Sequence, residues 1–380
     1  MTSRLYTTTR RLFRQVFVSM RQLGLLSVLS PLSFSLLAVY ICGLILLDKR
    51  QTATRVADWL PGRAHDALNR LLTQHTISTR RLFARVIEWA KRLGSGFLVL
   101  DEVILAKPYG KKCAWIGYLY STSEKRYVKG MCAVVLLFCV GTWRIPIAFR
   151  LWRPKVHCAP DQYRKRTELA WEMLLEVAQT GLSIQYVAFD NLYTAGWLTK
   201  AVSHLGWTWV GMVESKAHIC YRHRLWQARE LAAVLKLKGR SAFALRACSL
   251  IAYLPKYGTL RLVVTRNRFG NFQVLATNDL GSDLSFIVAR KRRRWSIETL
   301  FRDAKQFCGF TACQCIVDGA QVLHIAFVLL AFLVLQMLRR DPKETLGSVK
   351  DRLQREAMVG QSSAPSFLDG KVPQSALLTA

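Results

Sequence analysis

Two aspartates stand where a carboxylate could serve catalysis. Asp101 is the first charged residue after the apolar run at residues 97–100, and Asp190 is the first after the apolar run at residues 186–189. The end of a buried strand can present a rigid carboxylate to a cleft, and two neighbouring strands could share a divalent cation. Aspartate also ends strands as an ordinary turn or cap residue. Either aspartate alone therefore says little about function.

A third acid, Glu298, lies in the basic segment 291–305, KRRRWSIETLFRDAK. The period of a helix places an apolar stripe and a charged stripe side by side. The stripes comprise Ile297, Leu300, Phe301, Ala304 and Cys308, and Arg294, Glu298, Arg302 and Lys305. One interpretation is i,i+4 salt bridges on a solvated helix. The other is that Glu298 binds metal while Arg294 and Lys305 hold phosphate; Asp303 points elsewhere and is the weaker candidate.

The charge balance indicates an anionic partner. The chain has 380 residues, with 55 Lys and Arg against 24 acids and a net charge of +31. Such a charge repels itself unless it is neutralised, and nucleic acid is the commonest partner that does so. An anionic membrane surface is the main alternative. The length allows two or three domains, and 51% hydrophobic residues exclude a disordered chain.

The ten cysteines favour a reducing compartment, because they are scattered through apolar stretches and are typical of buried thiols in a cytosolic protein. Their tightest cluster, Cys308, Cys313 and Cys315, lacks the paired spacing of a zinc site. We do not predict a metal site there.

Two apolar runs, at residues 22–47 and 322–338, raise the question of a membrane. Ser30 and Pro31 have the types of a helix cap and first helical residue, which leaves a helix of 16 residues at 32–47. About 20 are needed to span a bilayer. Basic residues flank both runs on both sides, so no orientation is favoured. We interpret the runs as two buried core helices, with membrane insertion as the alternative.

The remaining pattern divides the chain into a helical start, an α/β part and a basic insertion. Helices are expected near 52–60, 65–72 and 79–93, and the first two, around a turn at Pro61-Gly62, are either a DNA-binding helix-turn-helix or a plain helical hairpin. Strands are expected at 97–100, 113–120, 129–140, 145–151, 186–189 and 207–213, with helices at 161–180 and 195–205. This pattern predicts an α/β sheet with helices on its faces.

Residues 216–278 form the basic segment, with twelve Lys and Arg against the single acid Glu230 and with interleaved aromatic residues. A hairpin is expected from 260–265 and 272–277. The segment could follow a phosphate backbone, or it could be an ordinary solvated surface. A helix near 348–357 and a loose polar tail are expected to end the chain.

Three separated motifs resemble the insertion-sequence transposases of the DDE superfamily. Arg294, Glu298 and Lys305 match their Y-x2-R-x3-E-x6-K signature, while LDEV…KPYGKK at 100–112 and FDNLYTA at 189–195 resemble the segments around their two aspartates. TNDL at 277–280 resembles the return from their inserted β domain. Lys291 replaces the signature tyrosine, and Glu102 stands where near relatives often carry a second aspartate.

The resemblance implies a fold and a domain plan. The fold is an RNase H-like mixed α/β sheet flanked by helices, with an all-helical N-terminal region and an inserted, mostly β subdomain. The expected parts are a DNA-binding region at 1–95, the core at 96–213 and 286–340, the basic insertion at 214–285 and a polar tail at 341–380. Glu298 follows Asp190 by 108 positions, which leaves room for that insertion.

The resemblance to these transposases also implies a function, that of a metal-dependent DNA transposase. Asp101, Asp190 and Glu298 would be the catalytic residues and would bind two Mg²⁺ or Mn²⁺ ions, with Asp101 shared by both. The expected DNA-binding residues are Arg294, Lys305, Arg302, Lys291, Trp295, Lys111 and Lys112. The expected partner is DNA, bound by a homodimer in the cytoplasm, with neither a membrane nor a small-molecule substrate. A non-catalytic DNA-binding remnant, an RNase H-like nuclease that does not join strands, and a basic membrane protein are the alternatives.

Overall fold

A bundle of helices opens the chain. The computed structural model describes residues 2–49, 51–59, 65–73, 77–110, 113–121, 124–235, 237, 246–266 and 269–362. Its first helices are α1 (Thr2–Gln22), α2 (Pro31–Leu46), α3 (Ala53–Trp59), α4 (His65–Thr73) and α5 (Thr79–Lys91). The Ser30 hydroxyl accepts a hydrogen bond from the Ser33 amide at 3.2 Å, which caps α2. The predicted start of this helix is confirmed, whereas the expected Pro61-Gly62 turn lies outside the described residues.

The described strands join in one mixed sheet of eleven strands. They are β1 (Gly96–Ala106), β2 (Gly117–Ser121), β3 (Arg126–Val140), β4 (Trp143–Trp152), β5 (Ile184–Phe189), β6 (Trp209–Val213), β7 (His218–Tyr221), β8 (Arg224–Gln227), β9 (Arg246–Leu254), β10 (Gly258–Arg266) and β11 (Phe272–Thr277). Their order is β2-β3-β1-β5-β6-β11-β10-β9-β7-β8, and β4 also pairs with β3, along residues 132–140. The predicted hairpin of β10 and β11 is confirmed.

The centre of the sheet is parallel, because β1 pairs with β5 and β5 pairs with β6 in that direction. One predicted boundary is wrong here: β1 does not end before Asp101. The strand continues to Ala106 because antiparallel pairing with β3 runs without interruption as far as Gly130. The strands of the basic segment extend the same sheet, since β11 pairs with β6.

Helices cover both faces of the sheet. They are α6 (Arg166–Ala178), α7 (Gly196–His204), α8 (Ala228–Val234), α9 (Leu284–Arg293), α10 (Trp295–Phe307), α11 (Asp318–Met337) and α12 (Leu346–Ser362). Helix α6 packs on β3 and β4, while α10 packs on β1 and α11 on β4. The α/β, RNase H-like fold class with a helical N-terminal region is therefore confirmed. The domain boundaries stay predictions. The helix expected near 348–357 is confirmed as α12 and continues to Ser362, and the rest of the expected loose tail lies outside the described residues.

Helix α11 is the centre of the helical layer. It is long and apolar enough to cross a bilayer, and it is the one such helix among the described residues, but nearly all of it is buried inside the protein. It packs against α2, α4 and β4. Within this layer α2 approaches α3 closely at Gly43, where an added Cβ would lie 2.4 Å from the Val56 side chain. The packing is that of a core helix.

A buried histidine joins α11 to α2. His324 Nε2 lies 2.9 Å from the Gly309 carbonyl, to which it must donate, so Nδ1 accepts from the Tyr40 hydroxyl at 2.9 Å. Burial lowers the pKa of His324 from 6.5 to about 4. The folded state therefore keeps this ring neutral where the unfolded chain would protonate it.

We predict that His324 makes the protein less stable in acid. Its pKa is lower in the folded state, so the stability that it contributes is complete above pH 6.5 and is lost as the pH falls towards 4. The loss attributable to His324 should be roughly 2–3 kcal/mol between pH 7 and 4.5. Urea unfolding at both pH values would measure it in the wild type and in His324→Gln. An equal pH dependence in the two proteins would contradict the prediction.

Candidate active site

The strand register places Asp101 beside Asp190. Leu100 of β1 is paired in parallel with Phe189 of β5, and this is the last pair between the two strands. The next residue on each strand is an aspartate. Asp190 leaves its strand into the 3₁₀ turn Asn191–Tyr193, whereas Asp101 remains within β1 and is only 8% exposed. Two acids 89 positions apart in sequence thus meet where the parallel pairing stops.

The helices α9 and α10 bring the third acid to the same place. Arg294 stands between them, with helical backbone angles of φ −54° and ψ −30°, and caps both. The apolar stripe predicted for α10 is buried, namely Ile297, Leu300, Phe301, Ala304 and Cys308. This packing fixes the rotation of α10 and holds Glu298 on the neighbouring face, one turn after Arg294.

One guanidinium joins the three carboxylates. Arg294 Nη1 donates to Asp101 Oδ2 at 2.6 Å and lies 3.4 Å from Glu298 Oε1, while its Nε is 3.9 Å from Asp190 Oδ1. The side chains of Arg294 and Asp101 are 11% and 12% exposed, but those of Asp190 and Glu298 are 37% and 38% exposed. The cluster is therefore buried at one end and open to solvent at the other.

The electrostatics require a positive charge at the buried end. Burial raises the pKa of Asp101 to about 7; the Arg294 charge opposes this effect and the Asp190 charge adds to it. Lys291 lines the same cavity as Arg294. Burial and the Arg294 charge lower its pKa, while Asp190 and Glu298 act in the opposite direction. Two cations thus accompany three acids.

The donor set suits a divalent cation. Carboxylate oxygens are the ligands that Mg²⁺ and Mn²⁺ prefer, and three of them from separate segments face one positive group here. The Nε of Arg294 is buried without a hydrogen bond, so the surrounding carboxylates do not satisfy every donor of the guanidinium. In the described ranges, no three acidic, histidine or cysteine side chains lie close enough together to hold a metal ion as they are placed here. Asp101, Asp190 and Glu298 fit the ions in charge and chemistry.

Of the other expected DNA-binding residues, some lie near the carboxylates and one is directed away from them. Trp295 is 64% exposed and, with Lys291 and Arg294, lines a cavity of about 510 Å³ against β10 and β11. Lys305 is close enough to Glu298 for that charge to raise its pKa, although burial lowers it overall. Arg302 turns away and pairs with Asp303 at 3.0 Å. Lys111 and Lys112 lie outside the described residues.

A second network, of hydrogen bonds to Glu102, lies on the face of β1 opposite to Asp101 and was not predicted from the sequence. Glu102 accepts hydrogen bonds from Arg166 Nη1 and from the Tyr193 hydroxyl, both at 2.5 Å. Tyr193 ends the 3₁₀ turn that Asp190 begins, so this network fastens the turn to β1. The sequence signal that could have revealed this network is that Glu102 directly follows Asp101. Neighbouring residues of a strand face opposite sides, so a second acid was to be expected on the other face of β1.

Comparison with known families identifies the chain. Its fold is that of an RNase H-like α/β enzyme. The family model of the DDE superfamily endonuclease matches residues 33–230, more than half of the chain, and that of the transposase DDE domain matches residues 155–334. The chain belongs to the DDE superfamily of endonucleases and transposases. A search among curated proteins found no significant match.

Together the two matched ranges contain Asp101, Asp190 and Glu298. The protein is therefore an enzyme with a transposase function, for which DNA is the expected partner and divalent metal the general requirement of the family.

We predict that Arg294 holds the cluster together. Arg294→Met would leave Asp101 buried without its counter-charge, which should lower the free energy of unfolding by about 3–5 kcal/mol. The control is Arg302→Met, which removes a cation of the same helix that is 60% exposed and should cost less than about 1 kcal/mol. Urea unfolding in EDTA measures both. Equal losses in the two variants would contradict the role of Arg294.

Proposed function

We propose that the protein is a cut-and-paste DNA transposase whose catalytic residues are Asp101, Asp190 and Glu298. The observation that carries the proposal is the convergence of these carboxylates, from two strands and a helix, on Arg294. Acids dispersed on a solvated surface would have no reason to share one guanidinium that is almost fully buried. Membership of the transposase family supports the same assignment.

These three residues would hold the divalent ions, with Asp101 shared by both ions and Asp190 and Glu298 each holding one. When bound, two Mg²⁺ or Mn²⁺ ions supply activation of the attacking oxygen and stabilisation of the leaving one. The open side of the cluster, formed by Asp190 and Glu298, is where DNA would enter. Asp101, at the buried end, would be the ligand whose position the surrounding structure fixes most firmly.

The chain's own cations would handle the phosphate charge. Attack of water on a phosphodiester at the transposon end would break its P–O3′ bond and free a 3′-hydroxyl. This hydroxyl would then attack a phosphodiester of the target DNA, break its P–O3′ bond and release a 3′-hydroxyl on the target strand. Arg294 and Lys291 lie at the carboxylates and can donate to phosphate oxygens as negative charge develops. Lys305, further along α10, would hold the strand on one side, and the exposed Trp295 offers a stacking surface on the other.

The remaining expectations belong to the same proposal. Region 1–95 and the basic strands of 214–285 would contact DNA outside the cleavage site, and the polar tail would begin near residue 341. Two transposon ends must be brought together, so a homodimer on DNA is expected. The protein would act in the cytoplasm, where it reaches the chromosome.

The carboxylates give the direct test. Asp101→Asn, Asp190→Asn and Glu298→Gln should each reduce Mg²⁺- or Mn²⁺-dependent cleavage at least roughly 1000-fold, because each removes a charge that no neighbour replaces. DNA binding should stay within about threefold of wild type, since these residues do not attract phosphate. A gel assay with labelled transposon ends measures cleavage and joining together.

The control is Glu172→Gln, a partly exposed acid of α6 that should cleave like wild type. Full cleavage by all three site variants would disprove the assignment. Cleavage by the wild type without joining would indicate a nuclease, and DNA binding without cleavage would indicate a non-catalytic remnant.

A further inference from the structure

A second cavity, of about 690 Å³, lies at the far end of β1, against the loop that joins α10 to α11. Its walls carry Lys107, which follows β1, and three cysteines, Cys113, Cys313 and Cys315. The proposed DNA cleavage uses none of these four side chains. A positive charge beside an accessible thiol favours the thiolate, which is the reactive form of cysteine.

The two cysteines of the loop are in contact. Residues 312–316 have no helical structure, and in extended backbone side chains two positions apart point the same way. The two thiols are hydrogen-bonded to each other, and Cys315 Sγ also donates to Asn69 Oδ1 at 4.0 Å. Cys313 is 4% exposed, whereas Cys315 is half-buried and faces the cavity. Of the ten cysteines, this is the one pair separated by a single residue.

Lys107 supplies the positive charge. Its Nζ donates to the carbonyls of Thr311 at 3.0 Å and Cys313 at 2.5 Å, which anchors it to the cysteine loop. Within the described ranges it forms no ion pair with a carboxylate; burial lowers its pKa, and the neighbouring Cys313, Cys113 and Cys315 act in the opposite direction. The hydrogen bond with Cys313 lowers the pKa of Cys315, and the charge of Lys107 acts in the same direction, whereas burial raises it.

We propose that Cys313 and Cys315 are a redox-active dithiol that peroxides oxidise to a disulfide. The Cys315 thiolate attacks one oxygen of hydrogen peroxide, which breaks the O–O bond and gives a sulfenic acid and hydroxide, and the hydroxide takes up a proton as water. The Cys313 thiol then attacks the Cys315 sulfur, loses its proton and displaces a second water. Two thiols and one peroxide thus become one disulfide and two waters. A reduced dithiol from solution would reverse the reaction by exchange.

Four of the other cysteines lack this combination. Cys132, Cys139 and Cys308 are buried, and burial raises the pKa of each to about 12. Cys113 shares the cavity, but burial raises its pKa to about 11. Thiols in such surroundings stay protonated and react slowly. Oxidation should therefore begin at the loop pair.

Peptide mass spectrometry after brief treatment with hydrogen peroxide tests this site in the full-length protein. Remaining thiols are alkylated, and chymotryptic cleavage after Phe310 separates a peptide that contains Cys313 and Cys315 from Cys308. This peptide should lose the mass of two hydrogens while Cys220 and Cys308 remain alkylated. The readout does not depend on DNA cleavage, so it stands or falls independently of the proposed transposase reaction.

Two variants test the role of Lys107. Lys107→Met should slow the formation of the disulfide about tenfold, because the thiolate loses its cation, whereas Lys107→Arg should stay near the wild-type rate. Cys220→Ser, which removes a partly exposed thiol elsewhere, should change nothing. The proposal is overturned if the loop pair stays reduced while Cys220 oxidises. An unchanged rate in Lys107→Met would overturn the role of the lysine.

Discussion

The structure of the site depends on the ion pair between Arg294 and Asp101, which are 193 positions apart in the chain and 2.6 Å apart in the fold. A buried carboxylate without a counter-charge is costly, and so is a buried guanidinium. Each therefore requires the other, and the pair fixes the junction of α9 and α10 over the centre of the sheet. Asp190 and Glu298 then complete the cluster from its open side.

Several independent restraints position this pair. The parallel pairing of β1 with β5 ends at Leu100, which sets the two aspartates side by side. On the other face, Glu102 fastens the turn that follows Asp190. The apolar stripe of α10 sets the direction of Glu298. The sheet and one helix thus fix the positions of the charged side chains. The carboxylates are therefore preorganised before a phosphodiester binds.

Local patterns in the sequence predicted the strands that carry the aspartates and the buried stripe of α10, because both follow from the spacing of apolar residues. They did not predict the contact of Arg294 with Asp101, which depends on long-range packing. The continuation of β1 past Asp101 was missed because antiparallel pairing with β3, rather than local composition, decides where that strand ends. Arg302 illustrates the same limit, since a helical wheel does not show that Asp303 is buried beside Arg144 and draws Arg302 towards it.

The most direct test of this account is a set of double-mutant cycles that pair Arg294→Met with Asp101→Asn, Asp190→Asn and Glu298→Gln, read out as free energies of unfolding without metal. If the four residues form one cluster, the losses will be non-additive, with a coupling energy of about 1 kcal/mol or more and the largest value for Asp101. Losses that add to within about 0.5 kcal/mol in all three cycles would show that the carboxylates do not share Arg294, and would contradict the account.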